Sequence, residues 1–159
     1  MYKITMGIDQ SFSCTGIVVF DGNDYMIHHQ TIKTKKEEGS IFKRSLIITN
    51  NIIDLIKLYG VDRINIEGLA FGNMPGNATR DLACLQGVII TKILDVLGKE
   101  CNIIPPKTVK KIATGNGNAS KSDMIASLPE KILEEFKLKG YRKTTGMADV
   151  TDAFFIGKF

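Results

Sequence analysis

MGIDQSFSCTGIVVF, residues Met6–Phe20, sets the problem from which the rest of the chain is read: an apolar strand that ends in an aspartate. Tyr2 to Ile8 carries the alternating, then continuous apolar pattern of a strand with one or both faces buried, and Thr15–Phe20 repeats it after a polar break. Asp9 stands where the first strand should simply turn. Aspartate is a common turn former, so Asp9 taken alone needs no further role.

Working outward, Asp21-Gly22-Asn23-Asp24 is a turn cluster leading to a third strand, Tyr25–Lys33, which completes an antiparallel meander. Ser40–Tyr59 sets Ile41, Ile48, Ile52, Leu55, Ile56 and Tyr59 at helical spacing, and Gly60 follows as a stop. Arg63–Glu67 is a short strand that again ends in an acid. After a loop at Gly68–Gly76, the spacing predicts a second long helix over Asn77–Leu97 and a brief strand at Asn102–Ile104, ended by Pro105 and Pro106. A short helix bearing Lys107, Lys110 and Lys111 stops at Gly115-Asn116-Gly117-Asn118, and Ser120 with Asp123 forms a capping box for the next. Pro129 breaks or restarts that helix, Gly140–Thr145 reads as a basic, mobile loop, and Met147–Ile156 is a closing helix with Asp149 and Asp152.

This order of elements predicts an α/β fold: a mixed five-stranded sheet, three strands antiparallel and two further strands parallel to the first, flanked by helices. A right-handed crossover through the first helix returns the fourth strand beside the first, so Asp9 and Glu67 emerge together at the C-terminal edge where open sheets place ligands. Asp149 and Asp152 share one face of a helix too apolar to stand in solvent, which brings both toward the same rim. Four carboxylates at one point repel, and a divalent cation removes the conflict. Oxygen ligands without a His or Cys cluster favour Mg²⁺, with Mn²⁺ as substitute. Two ions roughly 3.5–4 Å apart are the usual means of cleaving a phosphodiester.

Composition sets the limits. A chain of 159 residues is expected to form one domain, residues 1–159, with a full core. The apolar runs are too short for a membrane span and the N-terminus lacks a signal pattern, so a cytoplasmic protein with no membrane partner is expected. Cys14, Cys84 and Cys101 form no close pair, which fits reduced thiols. The net charge is only +4, but basic residues gather at Lys33, Lys35, Lys36, at Lys107, Lys110, Lys111, Lys121, and at Lys137, Lys139, Arg142, Lys143. Such clusters suit a polyanion such as DNA as well as they suit a solvated face.

GIDQSFSCTG, INIEG and MADVTDAFFIG resemble, in order, the first-strand motif, the second acid and the closing Asp-x-x-Asp helix of the RuvC family of Holliday-junction resolvases. The resemblance spans nearly the whole chain and implies a ribonuclease H-like fold. It implies a metal-dependent endonuclease that nicks branched DNA, leaving 5′-phosphate and 3′-hydroxyl ends. Asp9, Glu67, Asp149 and Asp152 would hold two Mg²⁺ ions. KTVKKIATGNGNASKS is similar to the segment carrying the family's two active-site lysines, which assigns those roles to Lys110 and Lys121. Phe71 would stack on unpaired bases at the junction centre, and Lys107, Lys111, Arg142 and Lys143 would contact DNA. Gln10-Ser11 departs from the usual Pro-Gly, and Phe71 lies one place later than the usual junction-probing Phe. This divergence is similar to that of a phage-type member and leaves a branch-migration helicase partner open.

Two other readings stand beside it. The first-strand motif also resembles the phosphate hairpin of sugar kinases and actin-like ATPases, although no second hairpin or adenosine motif follows. A non-catalytic junction binder is the other, against which four repelling acids beside a phosphate path count. The second long helix adds a partner of its own. Leu82, Leu85, Ile89, Ile93 and Val96 form a stripe for the sheet, while Ala83, Gly87, Ile90 and Leu94 form another. Two stripes predict a two-fold homodimer through helix 77–97, unless another helix of the same chain covers the second.

Overall fold

The computed structural model describes residues 3–69 and 76–159. Strands β1 (Thr5–Asp9), β2 (Thr15–Phe20) and β3 (Met26–Ile32) form the meander. Helix α1 (Ile41–Tyr59), strand β4 (Arg63–Glu67), helix α2 (Gly76–Leu97) and strand β5 (Cys101–Ile104) follow. Helices α3 (Pro106–Thr114), α4 (Lys121–Ala126), α5 (Glu130–Leu138) and α6 (Met147–Ile156) complete the chain. The strands lie in the order β3-β2-β1-β4-β5, with β1 antiparallel to β2 and parallel to β4, and β4 parallel to β5. This is the mixed sheet that the sequence predicts.

The ends of the elements follow from local chemistry. Ser40 caps α1 by accepting from the Lys43 amide, and Gly60 ends it at φ +63°, a conformation that glycine adopts without cost. Ser120 and Asp123 form the reciprocal capping box of α4, and Pro129 stands at the N-cap of α5. Gly140–Thr145 is less loose than expected, because Arg142 and Thr145 exchange backbone hydrogen bonds of 3.2 and 2.9 Å across a tight turn.

The pleat divides the core in two. Met6, Ile8, Ile17, Val19, Ile64 and Ile66 face α1 and α2, whose Ile48, Ile52, Leu85, Ile89 and Ile93 cover them. Val18 and Phe20 point the other way, into a second cluster with Val150, Ala153, Phe154 and Phe155 of α6. Each fully buried Val, Ile, Met or Phe among these contributes about 1.5–3 kcal/mol relative to exposure. In α2, Val96 corrects the sequence reading. It is 44% exposed, as its neighbours Leu94 and Asp95 are exposed, so the buried stripe ends at Ile93 and only Leu97 of the last turn packs at the core edge. No described helix is long and apolar enough to cross a membrane.

Helix α6 lies unusually close to the sheet. A Cβ on Gly7 would stand 2.1 Å from the Ala153 carbonyl oxygen, and one on Gly16 would stand 2.1 Å from the Asp149 carbonyl oxygen. Two glycines on neighbouring strands thus let backbone meet backbone. The other end of α6 is tied by Asn65 of β4, fully buried, whose amide donates to the carbonyls of Ile156 (3.1 Å) and Phe159 (3.3 Å). Asn102 in turn donates to Asn65 Oδ1 at 3.0 Å, so the buried amide is satisfied on both sides.

Candidate active site

Ile8 pairs with Ile66 in the parallel β1–β4 register, so one step further Asp9 and Glu67 end neighbouring strands, roughly 4.8 Å apart across the sheet. Asp9 shares the pleat parity of Gly7 and therefore faces α6. Across β1–β2, Asp9 pairs with Gly16, the residue on which the Asp149 backbone rests. Asp149 is thereby set against the end of β1, and Asp152 follows on the same flank of α6 one turn on. All four acids line one cavity of about 430 Å³ with Lys110 from α3 and Lys121 at the start of α4.

The strand end that bears Glu67 is braced from two sides. Its carbonyl accepts hydrogen bonds from the side-chain amides of Gln10 (3.2 Å) and Gln86 (2.9 Å). Gln10 stood out in the sequence only as a departure from the usual Pro-Gly and Gln86 not at all, since a polar residue in a turn or on a helix carries no signal of such a contact. Gly7 and Gly16 did carry one: glycine inside a strand marks a close backbone approach.

Burial, joined by the negative charges of Asp152, Glu67 and Asp149, holds the Asp9 carboxyl well above its usual range, and Lys121 opposes this. Burial and then Asp152 push Glu67 up to about 7 against the pull of Lys110 and Lys121. Burial raises Asp152 to about 6, with Lys121 opposing, Asp149 adding and Lys110 opposing. Beside them, burial and Asp149 push the Cys14 thiol up to about 12, so it remains a protonated, unreactive neighbour.

These shifts predict how the metal-free protein responds to pH. From about pH 4 to 7 the folded state holds protons that the unfolded chain has lost, so the acids' contribution to stability falls as pH rises through that window. Each proton changes the slope by about 1.4 kcal/mol per pH unit. His28 and His29, whose burial lowers their pKa, act in the opposite sense. The difference between Glu67→Gln and wild type isolates the acid: in EDTA the variant should gain stability relative to wild type between pH 5 and pH 7.5. Parallel melting curves for the two proteins at both pH values would contradict the shift.

Lys107, Lys111, Arg142 and Lys143 lie outside the cavity lining. Arg142 turns its guanidinium to the carbonyls of Lys137 (3.0 Å) and Tyr141 (2.9 Å), closing the end of α5. Phe71 falls outside the described residues. Among the described residues no three His, Cys, Asp or Glu side chains are gathered closely enough to form a ready-made metal cage. An all-carboxylate donor set in which Asp9, Glu67 and Asp152 resist ionisation nevertheless fits a hard divalent cation, whose charge offsets that resistance.

Comparisons with known proteins bear on the family and the fold. The family model for "Crossover junction endodeoxyribonuclease RuvC" matches residues 5–156. The crossover junction endodeoxyribonuclease RuvC of Ehrlichia chaffeensis is 27% identical over 157 residues, 95% of this chain and 91% of its own length. That of Brachyspira hyodysenteriae is 32% identical over 124 residues, 77% of this chain and 76% of its own. In structure, T. thermophilus RuvC in complex with a Holliday junction substrate superposes with a TM-score of 0.73 at 15% identity, covering 98% of this chain and 90% of that one. The fold is ribonuclease H-like, and the kinase-like alternative falls away. With its paired strand-end acids, its Asp-x-x-Asp helix and this match over almost its whole length, the chain belongs to the RuvC family of crossover junction endodeoxyribonucleases.

Proposed function

We propose that residues 1–159 form one nuclease domain that uses Mg²⁺ to nick four-way or otherwise branched DNA in pairs of strands. The observation that carries this reading is the convergence of Asp9, Glu67, Asp149 and Asp152 from three elements on one cavity that also holds Lys110 and Lys121. Bound Mg²⁺ would supply an activated water and charge stabilisation at the departing 3′ oxygen, and Mn²⁺ would substitute for it. The four carboxylates hold the cation, and the two lysines face the phosphate.

The test is cleavage of a synthetic four-way junction. Nicks that DNA ligase reseals, formed in Mg²⁺ and absent in EDTA, are the expected result. A protein that binds the junction and never cuts it in Mg²⁺ or Mn²⁺ would be a binder only.

Lys121 opposes the raised pKa of all three shifted acids, so it acts on the site as a fixed positive charge. Removing a donor that stabilises transition-state charge typically costs about 10²–10³ in rate. Lys121→Ala should therefore slow single-turnover cleavage of saturated junction by roughly that factor, with a smaller loss in binding. An unchanged single-turnover rate would assign Lys121 to binding alone.

A two-fold dimer through α2 agrees with the exposed Ala83, Gly87 and Leu94; a Cβ on Gly87 would meet nothing within 4 Å among the described residues. Ile90, by contrast, packs partly into the chain's own core. A second copy of α2 could approach closely over the small residues and bring two sites to a junction of matching symmetry. Light scattering should find a dimer for wild type and a folded monomer giving single nicks for Gly87→Leu. A wild-type monomer at micromolar concentration would overturn the assignment.

A further inference from the structure

Gln10, Ser11, Ser13 and Leu82, which line the four-acid cavity, also line a second one of about 630 Å³ directly beside it. The rest of its lining includes Lys36 from the turn before α1, Ser40 and Arg44 at the start of α1, Asp81 of α2, and Phe12. Phe12 is held firmly. Its carbonyl accepts from Arg44 Nη2 at 3.0 Å and from the Thr34 hydroxyl, and the guanidinium lies 5.0 Å from its ring centroid. Behind it the loop is closed by Thr15, whose hydroxyl donates to the Ser11 carbonyl at 2.7 Å.

Two features of this cavity ask for a ligand. Arg44 is only 8% exposed and forms no ion pair among the described residues, so its charge, in the first turn of a helix whose dipole there is also positive, is met only by hydrogen bonds to Thr34 and to the Phe12 carbonyl. Gln10 is 6% exposed, and its Oε1 is a buried acceptor without a donor among the described residues. An anion suits one end and an N–H group the other. Apolar Phe12, Ile41 and Leu82 lie in the same wall.

We propose that this cleft is a subsite for one unstacked nucleotide of the DNA strand next to the scissile phosphate. Its base rests on Phe12 with its polar edge toward Gln10, and its phosphate lies at Lys36, Ser40 and the Arg44 charge. The proposal rests on the nuclease reading above and adds to it a specificity-determining surface. Since Gln10 follows Asp9 directly, a base seated here sets the register of the phosphate at the acids. Aromatic stacking of a base, realised in the transition state, is worth about five- to 150-fold in rate.

The experiment replaces the nucleotides flanking the cut, one at a time, by abasic residues in a four-way junction. Wild type should lose about tenfold in single-turnover rate at one flanking position and little elsewhere. Phe12→Leu, which keeps an apolar side chain in the loop, should cut the intact junction about tenfold more slowly and no longer distinguish the abasic substrate. Should Phe12→Leu fail to fold, 2-aminopurine at the same position, bound to Asp152→Asn, reports directly: its fluorescence should change on binding there and not two nucleotides away. Equal cleavage of every abasic junction, or a flat 2-aminopurine signal at every flanking position, overturns the subsite and leaves the nuclease reading intact. A protein that cuts no junction overturns the nuclease reading and the subsite with it.

Discussion

Asp9→Asn is expected to lower single-turnover junction cleavage in Mg²⁺ by at least about 10³-fold, because a lost metal ligand removes several kcal/mol of transition-state stabilisation. The same substitution is expected to raise the melting temperature of the metal-free protein by a few degrees. Asp9 ends a buried strand among three other carboxylates, and its ionisation is opposed first by burial and then by each of those charges. The amide keeps the shape of the side chain and removes its charge. Glu67→Gln should behave alike. Forcing Glu67 from about 7 to full ionisation, against an ordinary 4.5, costs on the order of 2–3 kcal/mol at neutral pH. Mg²⁺ should stabilise wild type by more than either variant, so the order of melting temperatures should narrow or invert on adding the cation. Cleavage near the wild-type rate would remove Asp9 from the site. A variant both inactive and less stable in EDTA would instead mean that the aspartate serves the fold.

This opposition of stability and activity explains what the sequence could reveal. The acids were legible because each breaks a local rule: Asp9 and Glu67 end strands whose isoleucines and methionine form the core, and Asp149 and Asp152 interrupt a helix otherwise apolar apart from Thr151. Strand order was legible for a different reason, since two short connections and two helical crossovers leave few right-handed arrangements. What stayed hidden depends on contacts between residues distant in the chain. Gln10 and Gln86 converge on one carbonyl of Glu67 from 57 and 19 residues away, and no periodicity records that. Arg44 would pass for a surface residue on a helix that also carries Lys43 and Lys57, yet it is buried against Phe12 and Thr34. Val96 was misread because a helical stripe continues on paper after the residues that cover it have ended.

Gly16→Ala should be the most damaging single substitution of an uncharged residue in this chain. The added methyl would stand 2.1 Å from the Asp149 carbonyl oxygen and 2.4 Å from its carbonyl carbon, both of them backbone atoms of a helix whose Val150, Ala153 and Ile156 are fully buried. No side-chain rotation relieves such a contact, so α6 must lift from the sheet. Overpacking of a core costs typically about 1–3 kcal/mol and more where backbone must move, and the upper end is expected here. The displaced helix carries two of the four acids, so activity should fall further than stability alone accounts for. Gly7→Ala provides the control. Its methyl would meet the Ala153 carbonyl at the same 2.1 Å and the Gly157 amide nitrogen at 2.4 Å, further along α6 from Asp149. Both variants should lose stability by chemical denaturation to a similar extent. Below its melting temperature, the folded fraction of Gly16→Ala should need more Mg²⁺ for half-maximal cleavage than that of Gly7→Ala, because it moves the acids at their root. Equal Mg²⁺ dependence in the two would mean that α6 shifts as a rigid rod, and that the Gly16 contact supports the helix as a whole without setting Asp149 in particular.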